Sequence, residues 1–498
     1  MSLSIVHPPG IPIAFPAEIL SSVFEHACDD SLCIDNDGAL PFQCTIVQVC
    51  RLWRDIAFGD TRLWSNITMY ITYFDWGHDI PARSIASAIQ LFAFATQRAQ
   101  ELPLDLLLRL DASDRDRLPD ADPPEAVLKA LLATSARWRQ FSAYLETPED
   151  TILLQMGQIL DRAENLEKLE VFTLPLPKLG MVTKCGPSLR HVACQWAPHL
   201  VLPWGQLIHL ELKFKIEVQD FHHISDLEAC HDLRWLDLEL ELLETEIAVP
   251  NVARVVTLPL VSTFKTNSSD VINMFNLPAV VTLGLRAGAV APASVDSLIH
   301  RSRYIVRTLL MDEVYYEELD HLMKVLPCLA SEIKHLKIDM QQHRYPKKIG
   351  IITLLNLFAN VDIATRMESL CIEYYSMCIP VDLDHILARL CDVIHGRLSC
   401  EQPLQRVFLK IHLQGVSWRR RLEGLITASD IPPKLVEWND ACSPVVGIDI
   451  EAMPARESER TYKNLLPNPR GAFTLPAELR RVPGEPSLCP SFHWGDSL

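Results

Sequence analysis

The densest group of possible metal ligands in the sequence is the pair His222 and His223 followed by the pair Cys230 and His231. Zinc prefers histidine and cysteine ligands, and four of them can fill a tetrahedral site. Adjacent residues, however, project their side chains in different directions and rarely converge on one ion. The sequence therefore predicts no metal site here.

Carboxylates placed close together can act as general acid and base, and Glu239 and Glu241 are such a pair. They lie two positions apart in a run that alternates apolar and polar residues, which is typical of a strand with one solvated face. The sequence also lacks a glycine-rich dinucleotide loop, a Walker loop, a zinc-protease motif and a serine-hydrolase motif. We therefore expect a protein that is not an enzyme and that needs no cofactor.

The overall charge limits the classes of partner. The chain has 498 residues, enough for two or three domains of roughly 150 residues each. It carries 46 Lys and Arg against 63 Asp and Glu, a formal net charge of −17. This charge has the wrong sign for attraction to a polyanion. We therefore expect neither nucleic acid nor a membrane surface as a main partner.

The cysteines indicate the compartment. Fourteen cysteines run from Cys28 to Cys489 without a Cys-x-x-Cys pair, which does not indicate a disulfide framework. The first twenty residues lack the basic start and long apolar core of a signal peptide, and no uncharged stretch reaches the roughly 20 residues of a membrane span. These features predict a cytoplasmic protein, a nuclear protein, or one found in both compartments.

Apolar residues recur with helical spacing between Phe15 and about Thr68, and a polar, aspartate-rich stretch at 29–38 interrupts them. Pro16 suits the first position of a helix, where its missing N–H costs nothing. The three stripes are Ile19, Leu20, Val23, Phe24 and Ala27; Ile46, Val49, Cys50, Trp53, Ile56 and Ala57; and Leu63, Trp64 and Ile67. Three helices with so small a core need a partner, or the chain that follows, to pack against.

The same stretch contains four motifs in order: Phe-Pro-Ala-Glu-Ile-Leu at 15–20, Val-Phe-Glu at 23–25, Val-Cys-Arg-Leu-Trp-Arg-Asp-Ile-Ala at 49–57 and Leu-Trp-Ser-Asn-Ile at 63–67. This order resembles an F-box, the adaptor-binding module of Skp–cullin–F-box ubiquitin ligases, in the form common in large fungal families. The resemblance implies a domain at 12–70 that docks on a Skp-type adaptor and, through it, on a cullin. The alternative is a generic three-helix bundle, which would show the same apolar positions.

The resemblance also implies which residues bind the adaptor. They are Pro16, Ile19, Leu20, Phe24, Cys50, Trp53 and Trp64. A small unit that gives side chains to a partner cannot also bury them, so we expect the first six to be partly exposed in the free chain. Trp64 suits the contact and internal packing equally.

Two further regions flank a long central one. Residues 71–150 predict a helical linker region, with a helix from about residue 84, a strand-like run at 102–106 and a second helix at about 124–140. Residues 441–498 are rich in Pro, Glu, Arg and Ser without an apolar period, which predicts a mobile or capping tail. Residues 151–440 contain an internal repeat.

The repeat has the pattern apolar-x-x-apolar-x-apolar. Its copies are Leu166/Leu169/Val171, Leu189/Val192/Cys194, Leu207/Leu210/Leu212, Leu233/Leu236/Leu238, Val280/Leu283/Leu285, Val306/Leu309/Met311, Ile333/Leu336/Ile338, Met367/Leu370/Ile372 and Leu404/Val407/Leu409, with a weaker copy at Val261/Phe264. The pattern resembles a degenerate leucine-rich repeat, in which each copy gives one short parallel strand and a returning helix or loop.

The fold class that follows is α+β or α/β: an N-terminal three-helix F-box, a helical spacer and an irregular leucine-rich-repeat-like solenoid of short parallel strands. The alternative is an α/β domain whose strands are unrelated to one another.

Side chains alternate along a strand, so the residues between the apolar members of each copy should share the concave face of the solenoid. They are Lys168, Glu170, His191, His209, Glu211, Trp235, Asp237, Thr282, Arg286, His335, Lys337, Asp339, Arg406 and Lys410. The candidate target-binding residues are Lys168, Glu170, His209, Trp235, Asp237, Arg286 and Lys337. Trp235 is the favoured interface anchor, against an interpretation in which an inter-repeat loop covers it.

The two resemblances together imply a substrate-recognition subunit of a Skp–cullin–F-box type ubiquitin ligase. It would dock the adaptor through the F-box and an unknown target protein through the solenoid. One other hypothesis is an interaction scaffold whose F-box is vestigial and that takes no part in ubiquitin transfer. Another is a hydrolase or transferase within an unfamiliar α/β fold.

Overall fold

The computed structural model describes residues 15–28, 31–35, 41–72, 82–111, 124–146, 150–174, 186–196, 202–215, 220–241, 255–286, 290–302, 306–315, 319, 322, 324–326, 333–342, 350–359, 366–376, 383–398, 404, 406–414, 445–453 and 472–473. The chain divides into two compact units. The first comprises Met1–Leu233 and Leu240–Pro250, and the second comprises Arg234–Glu239 and Asn251–Leu498.

The described part of the first unit contains both helices and strands. Its helices are α1 (Ala17–Ala27), α2 (Phe42–Val49), α3 (Arg51–Gly59), α4 (Ala82–Arg98), α5 (Pro124–Leu132) and α6 (Asp150–Asp161). Its strands are β1 (Leu32–Asp35), β2 (Asn66–Thr72), β3 (Leu104–Asp111), β4 (Trp138–Glu146), β5 (Lys168–Leu174), β6 (His191–Gln195) and β7 (His209–Lys215). Short 3-10 helices lie at Thr61–Trp64, Ser135–Arg137, Trp204–Gln206 and Asp220–Ala229.

The strands β1 to β7 pair in chain order, and each is parallel to the next. Parallel neighbours need a connection that returns to the starting end of the sheet. The helices α4, α5 and α6 provide it between β2 and β3, β3 and β4, and β4 and β5. One face of these strands is buried, as the alternate residues Leu104, Leu106, Leu108 and Leu110 illustrate.

The parallel strands begin earlier than the sequence predicts. The helical linker region expected at 71–150 also contains β3 and β4, because the alternating leucines of β3 form a strand that continues the same ladder. The stretch at 29–38, interpreted as a polar interruption, contains β1. Its two apolar residues, Leu32 and Ile34, are fully buried between polar neighbours, and four residues are too few for a clear alternation pattern.

The described part of the second unit repeats the same arrangement. Its helices are α7 (Ser269–Asn273), α8 (Pro292–Ser302), α9 (Gly350–Phe358) and α10 (Leu383–Leu398). Its strands are β8 (Trp235–Glu241), β9 (Val256–Thr257), β10 (Thr263–Thr266), β11 (Phe275–Asn276), β12 (Thr282–Arg286), β13 (Thr308–Tyr315), β14 (His335–Gln342), β15 (Ser369–Ser376), β16 (Arg406–Gln414), β17 (Val445–Met453) and β18 (Ala472–Phe473). Among the described helices of the whole chain, none has the length and apolar character needed to cross a bilayer.

Most of these strands form one parallel series. The order is β8, β10, β12, β13, β14, β15, β16 and β17, with every pair parallel. The short strand β18 joins β17 in antiparallel fashion, and β9 pairs with β11 in a separate parallel pair. The chain is thus a mixed helix and strand protein dominated by parallel strands, as an α/β solenoid-like fold requires.

The predicted repeat marks the core. Every apolar position of every copy between Leu166 and Leu409 is buried, including the weaker copy at Val261 and Phe264. The second and third members of each copy lie inside a strand or at its end, so their period of two directs both to the same side. The prediction of short parallel strands in this region is confirmed.

The predicted tail at 441–498 lies partly outside the described residues. Its described part contains β17, which pairs in parallel with β16 from Arg406 opposite Val445 to Gln414 opposite Met453. This segment therefore continues the parallel series by one strand, although its composition is unlike that of the preceding copies. The regular alternation in Val445–Met453 is the signal that the composition obscures.

Candidate interaction surfaces

The first three helices share a small interior. Leu20 and Phe24 of α1 are 8% and 2% exposed, and the Phe24 ring meets the edge of Trp53 of α3 with 5.0 Å between the ring centroids. The expectation that Leu20 and Phe24 are partly exposed is therefore wrong, because α1 uses this face to pack against α3. Pro16, Ile19 and Cys50 are exposed and Trp53 is half-buried, as expected.

Trp64 belongs to internal packing. Its side chain is fully buried, and its indole Nε1 donates a hydrogen bond to the carbonyl oxygen of Ala57 at 2.8 Å. Its ring also meets the edge of Phe94 of α4 with 5.5 Å between centroids. Of the two roles that the sequence leaves open for Trp64, the structure favours support of the helices from within.

The break between α2 and α3 depends on Cys50. The sequence presents Ile46 to Ala57 as one stripe, but Cys50 has an extended backbone with a φ of −158°, so two short helices replace one. Its sulfur accepts a hydrogen bond from the backbone N–H of Trp53 and so caps α3. The exposed Val49 is the last residue of α2, and the exposed Leu52 lies in the first turn of α3, one on each side of Cys50.

Large apolar side chains are exposed mainly on these helices. Six of the nine exposed large apolar residues in the described part of the chain lie between residues 15 and 52. Phe15 directly precedes α1, and the other five, Ile19, Val23, Phe42, Val49 and Leu52, lie on α1, α2 and α3; we call the six residues the helical surface. Of these six, the sequence predicted only Ile19 as a contact. The helical spacing of Ile19 and Val23, one turn apart, could have identified Val23 as well.

Ion pairs connect α1 to the 3-10 helix beside α3. Arg62 contacts Glu25 and, at 3.1 Å, the carboxylate of Asp60, which also accepts a hydrogen bond from Ser21. Burial would raise the pKa of Asp60, but the hydrogen bonds from Arg62 and Ser21 outweigh it, so the pKa lies below its ordinary value. These contacts keep α1 in position without using the helical surface.

The polar strand face of the first unit carries several candidate residues. Lys168, His191 and His209 are directly opposite one another on β5, β6 and β7. The two imidazole rings stack with 5.6 Å between centroids and an angle of 3° between planes. Lys168 forms an ion pair with Glu170 at 2.7 Å, and Ser142 donates a hydrogen bond to the same carboxylate at 2.6 Å.

The polar strand face of the second unit begins at β8. Trp235, Asp237 and Glu239 are partly exposed and alternate with buried leucines, so the predicted register is correct here. Trp235 lies outside the core, and the ammonium group of Lys265 is 5.3 Å from the centroid of its ring. Lys265 comes from β10, the next strand of the series.

Lys265 reaches across a glycine. Its Nζ lies 3.3 Å from the carboxylate of Asp312 on β13, so its stem passes over Gly284 of β12. A Cβ at position 284 would lie 2.4 Å from Cγ of Lys265, far inside van der Waals contact. Glycine at this position therefore allows a cation from one strand to reach a carboxylate two strands away.

A β-bulge places two carboxylates on this face together. The pairing of β13 with β14 shifts register between Met311 and Val314, and Glu313 has a φ of +54°. Regular alternation would turn one of two successive residues into the core, whereas the bulge leaves Asp312 and Glu313 both partly exposed. A left-handed backbone at a non-glycine residue is strained and is frequent at functional positions.

The cations of the face contact carboxylates on neighbouring strands. Arg286 forms ion pairs with Glu239 and, at 3.7 Å, with Glu313, while Lys337 forms one with Glu373 at 3.0 Å. These residues lie on the same side of the strands as Trp235, Asp237, Lys265, Asp312 and Asp339, and we call the whole set the charged strand face. Its members are Trp235, Asp237, Glu239, Lys265, Arg286, Asp312, Glu313, Lys337, Asp339 and Glu373.

Two carboxylates of the charged strand face lack an ion-pair partner among the described residues, namely Asp237 and Asp339. Burial, together with the carboxylates of Glu373 and Asp312, raises the pKa of Asp339 to about 7. Burial also raises the pKa of Asp237, although Lys265 and Arg286 oppose the rise. The Oδ1 atom of Asp339 is buried and has no hydrogen-bond partner within the described part of the chain.

Part of the charged strand face was predicted from the sequence. Trp235, Asp237, Arg286 and Lys337 were predicted as candidate target-binding residues and lie on it, and Asp339 was predicted on the same face. Thr282, His335 and Arg406 also fall in one row across the strands, in register with Trp235. The members that the sequence did not predict are Glu239, Lys265, Asp312, Glu313 and Glu373.

The possible zinc ligands do not form a described site. Within the residues that the structure describes, no three His, Cys, Asp or Glu side chains are arranged to hold a metal ion. The side chains of His222 and His223 lie outside the described part. Burial raises the pKa of the Cys230 thiol to about 12, so this sulfur remains protonated.

Comparisons with known proteins add no family to these observations. No protein-family model matches the sequence, and no curated protein matches it.

Proposed function

We propose that this chain is a substrate-recognition subunit of a Skp–cullin–F-box type ubiquitin ligase. The helices α1 to α3 form its F-box and dock a Skp-type adaptor, which joins the chain to a cullin. The parallel strands form a degenerate leucine-rich-repeat-like solenoid, and their polar faces hold a target protein. The observation that carries the proposal is the helical surface, because it lies on the same short helices whose motifs resemble an F-box.

The helical surface supports docking on physical grounds. Monomeric proteins expose scattered apolar residues, but a concentration of large ones in one short segment marks an interaction site. Each buried square ångström of apolar surface contributes about 25 cal/mol, so covering several such side chains drives association. Leu20, Phe24 and Trp64 support these helices from inside, which leaves Ile19 and Val23 available to a partner.

The role proposed for the strands requires no bond-making residue. A receptor contributes by holding a target near the ubiquitin-charged enzyme, which raises the effective concentration of the reacting groups. The charged strand face is suited to such holding, because its side chains come from several strands whose spacing the backbone ladder fixes. The proposal thus assigns binding to both surfaces and catalysis to other subunits.

The test is co-purification of a Skp-type adaptor with the full chain. We expect Ile19→Asp to abolish co-purification, because it places a charge in the centre of an apolar contact. The matched control is Glu18→Ala, a change at the adjacent exposed residue of the same helix. Unchanged thermal unfolding of both variants would show that the fold is intact.

Two outcomes would contradict the proposal. One is an adaptor that binds Ile19→Asp as well as it binds the unchanged chain. The other is an unchanged chain that does not bind the adaptor while it still captures a target, which would instead favour the interaction scaffold with a vestigial F-box.

A further inference from the structure

We propose that the charged strand face binds a basic segment of a partner protein, with an arginine or lysine side chain that pairs with Asp339. This inference rests on the proposed function, since it names the class of target that the strands hold. It concerns only the second unit, in which all members of the charged strand face lie.

The charge balance of the face favours a cationic ligand. Six carboxylates belong to it, and they are Asp237, Glu239, Asp312, Glu313, Asp339 and Glu373. Three cations belong to it, and each already contacts a carboxylate: Lys265 with Asp312, Arg286 with Glu239 and Glu313, and Lys337 with Glu373. A fourth cation, Lys410 of β16, lies opposite Glu373 beside the face, so the carboxylates exceed the cations by two. A partner that adds positive charge would therefore complement the face, whereas an acidic partner would be repelled.

Asp339 is the carboxylate at which positive charge from a partner would be most favourable. Its Oδ1 is buried without a hydrogen bond from any described residue, and a buried polar atom without a partner is unfavourable. Its neighbours Glu373, Asp312 and Glu313 are themselves acidic. Asp339 as a whole is partly exposed, so a guanidinium or ammonium group from outside can approach the accessible side of its carboxylate and neutralise the local excess of negative charge.

The occupant is more readily a side chain than a metal ion. The described carboxylates are not arranged to bind one ion together. They are instead spread over β8, β13, β14 and β15, so they can contact successive groups of an extended segment. Lys265 already lies over the Trp235 ring, whereas Asp237, two residues along the same face of β8, offers a carboxylate to a further cation of such a segment.

The experiment measures binding of a fluorescent Gly-Ser peptide that carries arginines to the full chain. Its counterpart carries citrulline at the same positions, which keeps the shape and removes the charge. We expect the arginine peptide to bind and the citrulline peptide to bind at least about tenfold more weakly. Asp339→Asn should weaken binding of the arginine peptide by a similar factor, because it removes the charge and keeps the shape.

The matched control is Asp392→Asn, which changes the charge of an exposed helix residue by the same amount. It should leave peptide binding unchanged. Asp339→Asn is expected to unfold at a higher temperature than the unchanged chain above pH 7, so a loss of peptide binding could not be attributed to loss of structure.

The pH profile separates a specific pair from general attraction. The charged groups that act on Asp339 are Glu373, Asp312, Lys337 and Glu313. Lys410 lies opposite Glu373, Tyr375 donates a hydrogen bond to Glu373, and His335 lies on the same strand as Asp339. Because Asp339 ionises near pH 7, affinity for the arginine peptide should rise about tenfold between about pH 6 and pH 8, and Asp339→Asn should remove most of this rise. His335 has a pKa lowered by burial, so its contribution should lie at the acid end and persist in Asp339→Asn.

Equal binding of the two peptides would overturn the inference, and so would equal losses in Asp339→Asn and Asp392→Asn. Neither result depends on the adaptor, which binds the helical surface. If the adaptor co-purifies and the arginine peptide does not bind, the inference fails and the proposed function stands. If the arginine peptide binds and the adaptor does not co-purify, the inference stands for a scaffold and the proposed function fails.

Discussion

The helical surface and the charged strand face differ in the kind of side chain that each offers to a partner. The helices bury Leu20, Phe24 and Trp64 and expose other large apolar residues. A partner that covers these exposed residues would therefore gain binding free energy mainly from apolar surface. The strands bury most of their large apolar side chains, with the exposed Phe408 as an exception, and leave Asp237 and Asp339 without ion-pair partners among the described residues. Apolar area gives affinity for any surface of the right shape, whereas a buried charge selects for a cation at one position.

The largest effect is expected when a side chain that the helices bury is removed. Phe24→Ala should lower the free energy of unfolding by about 3–5 kcal/mol, because it leaves a cavity beside Trp53. Ile19→Ala is the control on the same helix and should change stability by less than about 0.5 kcal/mol. Denaturant unfolding followed by tryptophan fluorescence measures both. Similar losses in the two variants would mean that α1 does not distinguish an inner face from an outer one.

Asp339 gives the corresponding test for the charged strand face. A carboxyl whose pKa is raised in the folded chain binds a proton more tightly there than in the unfolded chain, so stability falls as the pH rises from about 4 to about 7 and stays low above that. Asp339→Asn should therefore raise the free energy of unfolding by about 2–4 kcal/mol near pH 8.5. The gain should shrink as the pH falls through 7 towards 4. Denaturant unfolding at a series of pH values measures it, and a gain that does not depend on pH would refute the assignment.

Gly284 offers a smaller effect within the same face. Gly284→Ala should cost about 1–3 kcal/mol, because the new methyl group would overlap the stem of Lys265. In a chain that already carries Lys265→Ala the same change should cost much less, since most of the overlapping atoms are gone. Thermal unfolding of the four combinations measures the interaction. An equal cost in both backgrounds would show that Lys265 does not pass over this glycine.

The spacing of apolar residues predicted which side chains of each strand are buried, but it did not predict the ion pairs on the polar face of the strands. Leu283, Leu336 and Leu370 follow from a local pattern, and burial confirms them. The contact between Lys265 and Asp312 joins strands that are not neighbours, and the bulge at Glu313 changes the alternation on which any such prediction depends. Long-range pairs of this kind are set by register across the sheet, which a single sequence does not display.

The helices show a different limit. The apolar stripe of α1 is visible in the sequence, but a stripe alone does not tell an inner face from one given to a partner. The prediction placed Leu20 and Phe24 on the side that faces a partner, but both are buried inside the protein. The exposed residues of α1 are instead Ile19 and Val23. Similarly, the extended backbone of Cys50 divides one apparent stripe into two helices. Which side of a short amphipathic helix is covered depends on elements far along the chain.

The strand β1 has a consequence for how this chain can be rearranged. It lies between α1 and α2, and it pairs with β2 from Leu32 opposite Ile67 to Asp35 opposite Tyr70. The segment that resembles a docking module is thus interwoven with the first rungs of the parallel ladder. A graft of residues 12–70 onto another protein would remove β1 and all of β2 except Ile71 and Thr72, and the edge of β3 would then be free to pair with a second molecule. The segment is therefore part of the parallel sheet and cannot be exchanged as a separate unit.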